Sequence, residues 1–183
     1  MDSSQSTSSI LIPSLLTDGV FLSLLVIWAV NDHYFKYTYP SFLTGKLSDV
    51  TSLACTPILM FVVMLAFRSL YKRFSPSSSM SRTLKNDVAF FYTLMSLNAI
   101  LMGGLMVMIN LSETWANLYR LGLGYAQWPW VGLWKWSRIG HWPPMPQVIL
   151  TVDPSDAWTA PAAFISLIIL RRSLLLLSEE TMS

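Results

Sequence analysis

The sequence predicts an all-α integral membrane protein of four transmembrane helices, with a Trp-rich interfacial loop between the third and fourth. Three observations predict it. Of the 183 residues, 53% are hydrophobic and only 12% are charged, about half the share usual in soluble domains, and the mean hydropathy is +0.49. Four segments reach the roughly 20 apolar residues that a helix needs to cross a bilayer. The chain also carries 8 Trp, 7 Tyr and 9 Phe, too many ordering side chains for a disordered chain.

Residues 1–9 form a Ser-rich tail. They lack a basic n-region, and no small-residue cleavage site follows the first apolar stretch, so the first helix is expected to be retained. Residues 10–177 read as one four-helix domain and 178–183 as a C-terminal tail. The predicted spans are 10–30, 47–67, 88–110 and 147–170. Pro13 and the Thr17-Asp18-Gly19 interruption predict a kink in the first, and Pro57 predicts one in the second. Only the third is free of charged residues. Its Ser96, Ala99 and Gly103 form a small-residue stripe where another helix can approach closely. The lone Cys55 excludes an intrachain disulfide and a cysteine-based zinc cluster.

Lys and Arg near helix ends set orientation. Arg68, Lys72, Arg73, Arg82 and Lys85 crowd the connection between the second and third spans, which places that connection and both termini on the cytoplasmic side. Lys36, Lys46, Arg120, Lys135 and Arg138 on the outward connections weaken this bias. Residues 111–146 hold six of the eight tryptophans: Trp115, Trp128, Trp130, Trp134, Trp136 and Trp142. Tryptophan favours the headgroup layer, where its ring is apolar and its N–H is hydrogen-bonded. A short helix capped by Ser112 is expected there, with Trp115, Leu118 and Tyr119 on one face, followed by a second interfacial element. Lipid anchor, lid and docking surface for another subunit all fit this composition.

The densest polar text is Asn31-Asp32-His33 with Lys36, then Lys46-Leu47-Ser48-Asp49, at the outward ends of the first two spans. Asp49, Ser52 and Thr56 carry polarity inward along one helix face. Asp153-Pro154-Ser155-Asp156 opens the fourth helix, and Ala160 and Ala163 continue its face as a packing strip.

These motifs, Asn31-Asp32-His33 with Lys36, Thr44-Gly45-Lys46-Leu47-Ser48-Asp49 and Asp153-Pro154-Ser155-Asp156, resemble those of an uncharacterised family of small bacterial multi-spanning membrane proteins. The family pattern is N-D-H-x-x-K, T-G-K-L-S-D and D-P-T-D. This chain departs at Thr51-Ser52, Ser155 and Ala157, where Ala-Gly, threonine and leucine are common. The resemblance implies a bacterial inner-membrane fold and brings no activity with it.

Three readings of Asn31, Asp32, His33, Lys36, Lys46, Ser48, Asp49, Asp153 and Asp156 stay open. They can form a helix-end network of caps and ion pairs. They can supply hard oxygens and an imidazole to Mg²⁺, Mn²⁺, Ca²⁺ or Zn²⁺. They can line an ion or proton path, which Asp18 would extend, although the better reading of Asp18 is a carboxylate near the cytoplasmic end that pairs or snorkels. His141, without a partner motif, reads as a surface imidazole. No catalytic signature or cofactor motif is present, and a net charge of +2 without a basic face speaks against nucleic acid. The expected partners are the lipid bilayer and other membrane-protein subunits. The expected role is a non-catalytic accessory or scaffold subunit. Its alternative is a small transporter or a metal-assisted membrane enzyme using Asp49, Asp153 and Asp156.

Overall fold

The first apolar stretch breaks where it turns polar. In the computed structural model, which describes residues 7–74 and 84–180 and the side chains of 10–71, 74 and 87–177, helix α1 (Thr7–Leu16) ends before Thr17 and α2 (Gly19–Val30) begins after Asp18. The two halves meet at 49°. Asp18 has extended backbone, and its Oδ1 accepts the N–H groups of Val20 and Phe21 at 2.9 and 3.1 Å. A carboxylate there satisfies donors that the first turn leaves free and complements the helix dipole. The other oxygen lies 3.5 Å from Arg172 Nε, beside a cleft of about 430 Å³. Asp18 is thus placed as a cap and an ion-pair partner. Pro13 sits inside α1 without ending it. Asp18→Ala is expected to cost about 1.5 kcal/mol in thermal unfolding, and Asp18→Asn, which keeps the cap, a few tenths.

Beyond α2 the helix continues through a π-helical turn, Asn31–Phe35, and a last turn, Lys36–Thr38. The next helix, α3, spans Phe42–Phe74. The expected outward loop from Asn31 to Lys46 therefore shrinks to Tyr39–Ser41, and Lys46, Ser48 and Asp49 stand in the first turns of α3. Pro40 ends one helix, since the residue before a proline avoids the helical region. Ser41 and Thr44 start the next by capping each other: Thr44 N donates to Ser41 Oγ at 3.2 Å, and Ser41 N donates to Thr44 Oγ1 at 3.0 Å. This is the reciprocal arrangement of a capping box. The 33 residues of α3 make it about 50 Å long, and it stays one helix across Pro57.

Helix α4 spans Leu84–Leu111. The last apolar segment begins as a 3₁₀ helix, Pro154–Phe164, and continues as α6, Ile165–Glu180. Its expected start at 147 moves to Pro154, because Asp153 caps the turn and proline is favoured at a first helical position. Among the described residues, three stretches are long and apolar enough to cross a membrane: Phe42–Tyr71, Asp87–Leu111 and Pro154–Leu177. The bent pair of α1 and α2 makes a fourth if counted as one span. All secondary structure among the described residues is helical.

The chain divides into two compact units, Met1–Gly104 with Thr159–Ser183, and Leu105–Trp158. In the first, Leu11, Leu15, Phe21, Ile58, Phe61, Phe91 and Ile169 join α1, α2, α3, α4 and α6 in one buried core. Phe61 and Phe91 meet edge to face, their centroids 6.0 Å apart. At Gly103 the small-residue stripe of α4 admits the close approach expected of it. A Cβ on Gly103 would lie 3.1 Å from the Ala160 carbonyl oxygen and 3.7 Å from Ala163 Cβ. Arg68 pairs with Asp87 at 3.6 Å and stacks over Phe90. The side chains of Lys72, Arg73, Arg82 and Lys85 lie outside the described residues.

The second unit replaces the expected short helix and separate interfacial element. Helix α5 runs unbroken over Glu113–Ile139, 27 residues with Pro129 inside, about 40 Å long. Ser112 is its N-cap position with extended backbone, although its side chain makes no capping bond. Gly140 stops the helix in the left-handed conformation, φ 72°, which glycine adopts without steric cost. The chain then returns along α5 without helix from His141 to Asp153.

Every fourth residue of α5 meets this return segment. Gly132 lies under the Trp142 ring, and Gly124 lies under Met145 and Pro146, where a Cβ would be 3.1 Å from the Pro146 carbonyl oxygen. Between them, Trp128 Nε1 donates to Pro143 O at 3.0 Å, and one turn beyond, Arg120 Nη2 donates to Leu150 O at 2.8 Å. Small residues let the backbone approach, and the intervening polar side chains satisfy carbonyls that no helix or sheet pairs. The spacing fits extended geometry. Eight helical residues from Gly124 to Gly132 rise about 12 Å, as do four extended residues from Trp142 to Pro146. At the base, Asp153 N donates to Asn110 Oδ1 at 3.1 Å, so the hairpin closes where it began.

Candidate functional site

The polar residues at the α2–α3 turn are held by helices packed side by side. The π-helical turn adds a residue to the helical repeat, and such turns often mark functional positions. Here Asn31 becomes fully buried, and its Nδ2 donates to the Thr44 carbonyl at 2.7 Å. Its Oδ1 is buried without a hydrogen-bond partner. The neighbouring Asp32 accepts three donors. Trp28 Nε1 reaches Oδ2 at 2.8 Å, while Ser48 Oγ at 2.5 Å and the Lys36 ammonium at 2.9 Å share Oδ1. Trp28 and Lys36 come from the same helix, one turn to either side, and Ser48 comes from α3. One carboxylate thus ties the helical hairpin together.

The remaining sequence-predicted residues behave differently. His33 is exposed and takes no part in this network. The Lys46 ammonium lies 5.0 Å above the Phe42 ring, a cation–π contact within its own helix. Asp49 is half-buried. The polar face expected to run inward from it folds back on α3 itself: Ser52 Oγ donates to Asp49 O at 3.1 Å, and Thr56 Oγ1 donates to Ser52 O at 2.6 Å. Hydroxyls bonded to their own helix carbonyls need no other partner.

Asp153 and Asp156 belong to the second unit. Asp153 Oδ1 accepts from Ser155 N at 2.9 Å and from Ser155 Oγ at 2.8 Å, and Asp156 N donates to Asp153 O at 2.8 Å. This is a helix-start cap of the kind that short polar side chains form. Among the described residues, no three of His, Cys, Asp and Glu gather as a set able to hold a metal ion.

Of the six tryptophans, Trp115, Trp130, Trp134 and Trp136 are exposed on α5, and Trp128 is half-buried. Trp142 stands on the return segment with its ring over Gly132, edge to face with Trp128 at 6.5 Å. His141 is exposed, its Nδ1 lying 3.2 Å from Ile139 O.

Two contributors are absent from the sequence reading. Trp28 is the donor that fixes Asp32, and its signal was an indole four residues before a carboxylate, one helical turn away. Asn110 closes the α5 hairpin, and no sequence signal joins it to a residue 43 positions on. No family model, curated protein or solved structure matches the chain.

Proposed function

We propose that the chain is an integral membrane protein of four spans, kin to the small bacterial family its motifs resemble, acting as a non-catalytic accessory or scaffold subunit in a larger assembly. Both termini are then cytoplasmic, and the α5 hairpin lies outside. The observation that carries this reading is the use of Asp32: its oxygens are taken by Trp28, Ser48 and Lys36. A carboxylate engaged in this way holds helices together. The hydroxyls beside Asp49 and the cap at Asp153 also serve local structure.

The partner-facing surface in this reading is the base of α5. Trp115, Leu118, Leu121 and Tyr125 are exposed there by 45%, 53%, 49% and 61%, a density of aromatic and aliphatic anchors suited to an interface core. Gentle detergent extraction of native membranes is expected to yield the chain in fixed ratio with another membrane protein. The double substitution Trp115→Ala/Tyr125→Ala is expected to lower that co-purification at least about tenfold. A lone monomer from native membranes would overturn the reading.

A further inference from the structure

The far end of the α5 hairpin differs in chemistry from its base. Between Glu113 and Asp153 the sequence contains no acid, yet it holds Arg120, Lys135, Arg138 and His141. Arg120 is engaged inside the hairpin, by Glu113 at 2.7 Å, Asn117 at 2.6 Å and the Leu150 carbonyl. Lys135 and Arg138 are exposed, and neither joins an ion pair among the described residues. They stand one turn apart on α5, among Trp130, Trp134 and Trp136, which are 74%, 61% and 54% exposed. The Arg138 guanidinium sits over the Trp134 ring, 4.2 Å from its centroid. Exposed indoles with unneutralised cations beside them match the headgroup layer of a bilayer, where rings meet the acyl boundary and cations meet phosphate.

We infer that the tip of the α5 hairpin docks on the headgroup layer of acidic phospholipids, with Lys135 and Arg138 contacting lipid phosphate and Trp130, Trp134 and Trp136 entering the interface. The inference rests on the reading of the chain as membrane-integral and is independent of any partner subunit. The stacking on Trp134 holds the Arg138 charge at the level of the rings. Arg120, equally basic, is set apart from this role because its charge is already paired with Glu113.

The test uses the purified full chain in lipid nanodiscs with Cys55 replaced by alanine. An environment-sensitive fluorophore is placed at the exposed Ser137→Cys, and in a second preparation at Ile100→Cys on α4. Quenching by headgroup nitroxide is read at the tip and by acyl-chain nitroxide at Ile100. The tip is expected to be quenched strongly in discs with acidic lipid and weakly in zwitterionic or high-salt discs. Each base contributes about a fivefold bias in partition toward an acidic surface, so Lys135→Gln/Arg138→Gln is expected to lower that preference about twenty-five-fold.

Equal tip quenching in both lipids would overturn the inference in favour of aromatic anchoring alone. No tip quenching, with Ile100 quenched, would place the tip away from lipid and overturn it while leaving the membrane reading intact. If neither position is quenched, both fall. The two bases also complement the C-terminal end of the helix dipole. A fall in helix content by circular dichroism in the double variant would assign them that structural role instead. Unchanged helix content with lost lipid preference supports docking.

Discussion

Replacing Gly103 by leucine is expected to cost about 3 kcal/mol, whereas the same change at the adjacent Gly104 is expected to be neutral or slightly stabilising. A Cβ at Gly103 would already stand 3.1 Å from a backbone oxygen, Ala160 O, and beside Ala163 Cβ. Backbone cannot swing aside as a flexible side chain can. A leucine would push the 3₁₀ segment off α4 and forfeit the close packing that holds helices together where lipid offers no hydrophobic drive. At Gly104 a Cβ would meet nothing within 4 Å, and leucine improves helix propensity by about 0.5–1 kcal/mol. Thermal unfolding of the two variants in one detergent, read by circular dichroism, checks the contrast. Equal midpoints would refute the packing assignment.

Asp32→Ala is expected to lose about 2 kcal/mol. It removes the acceptor of three donors, and a hydrogen bond to a charged group is worth about 1.5–3 kcal/mol when well formed. The figure is held down because the Asp32 and Lys36 side chains are 34% and 40% exposed, so water screens their attraction to about 0.5 kcal/mol. Asp32→Asn should fall between. Its amide can serve Trp28 or Ser48 through oxygen, but its N–H₂ then faces Lys36 or an indole, both donors only. Adding Lys36→Met to Asp32→Ala should recover part of the loss, since the ammonium no longer lacks a counterion. A double-mutant cycle on the unfolding midpoint measures this coupling, and strict additivity would dissolve the pair.

How much was legible in the sequence varies with the kind of signal. The stripe through Gly103 and the strip of Ala160 and Ala163 were readable, because small residues at helical spacing have one main structural use. The break at Thr17-Asp18 was readable from polarity, but not that Asp18 would cap α2. The polar text from Asn31 to Asp49 was recognisable as a cluster, and its part from Asn31 to Lys46 was misplaced as a loop. Its charges mask the helical period, and the turn at Tyr39–Ser41 is signalled only by Pro40 and the Ser41/Thr44 pair. The full length of helix α5, beyond its expected start at Ser112, was hidden for the opposite reason. Gly122, Gly124, Gly132 and Pro129 argue locally against a helix, and the return segment packed on the glycines overrides that preference. The fourth span was set too early because Val148, Ile149 and Leu150 are apolar, although they belong to the returning strand of chain.

The match of eight helical residues to four extended ones has a bearing on how such a chain could vary. Because α5 and its return advance together, an insertion of eight residues in the helix accompanied by four in the return would lengthen the hairpin by about 12 Å. The Asn110–Asp153 closure would stay as it is. An unmatched insertion in either arm would instead shift Gly124 and Gly132 away from Pro146 and Trp142. Related chains of different hairpin length are therefore expected to differ in coupled steps of two to one, while the spans on either side keep their separation.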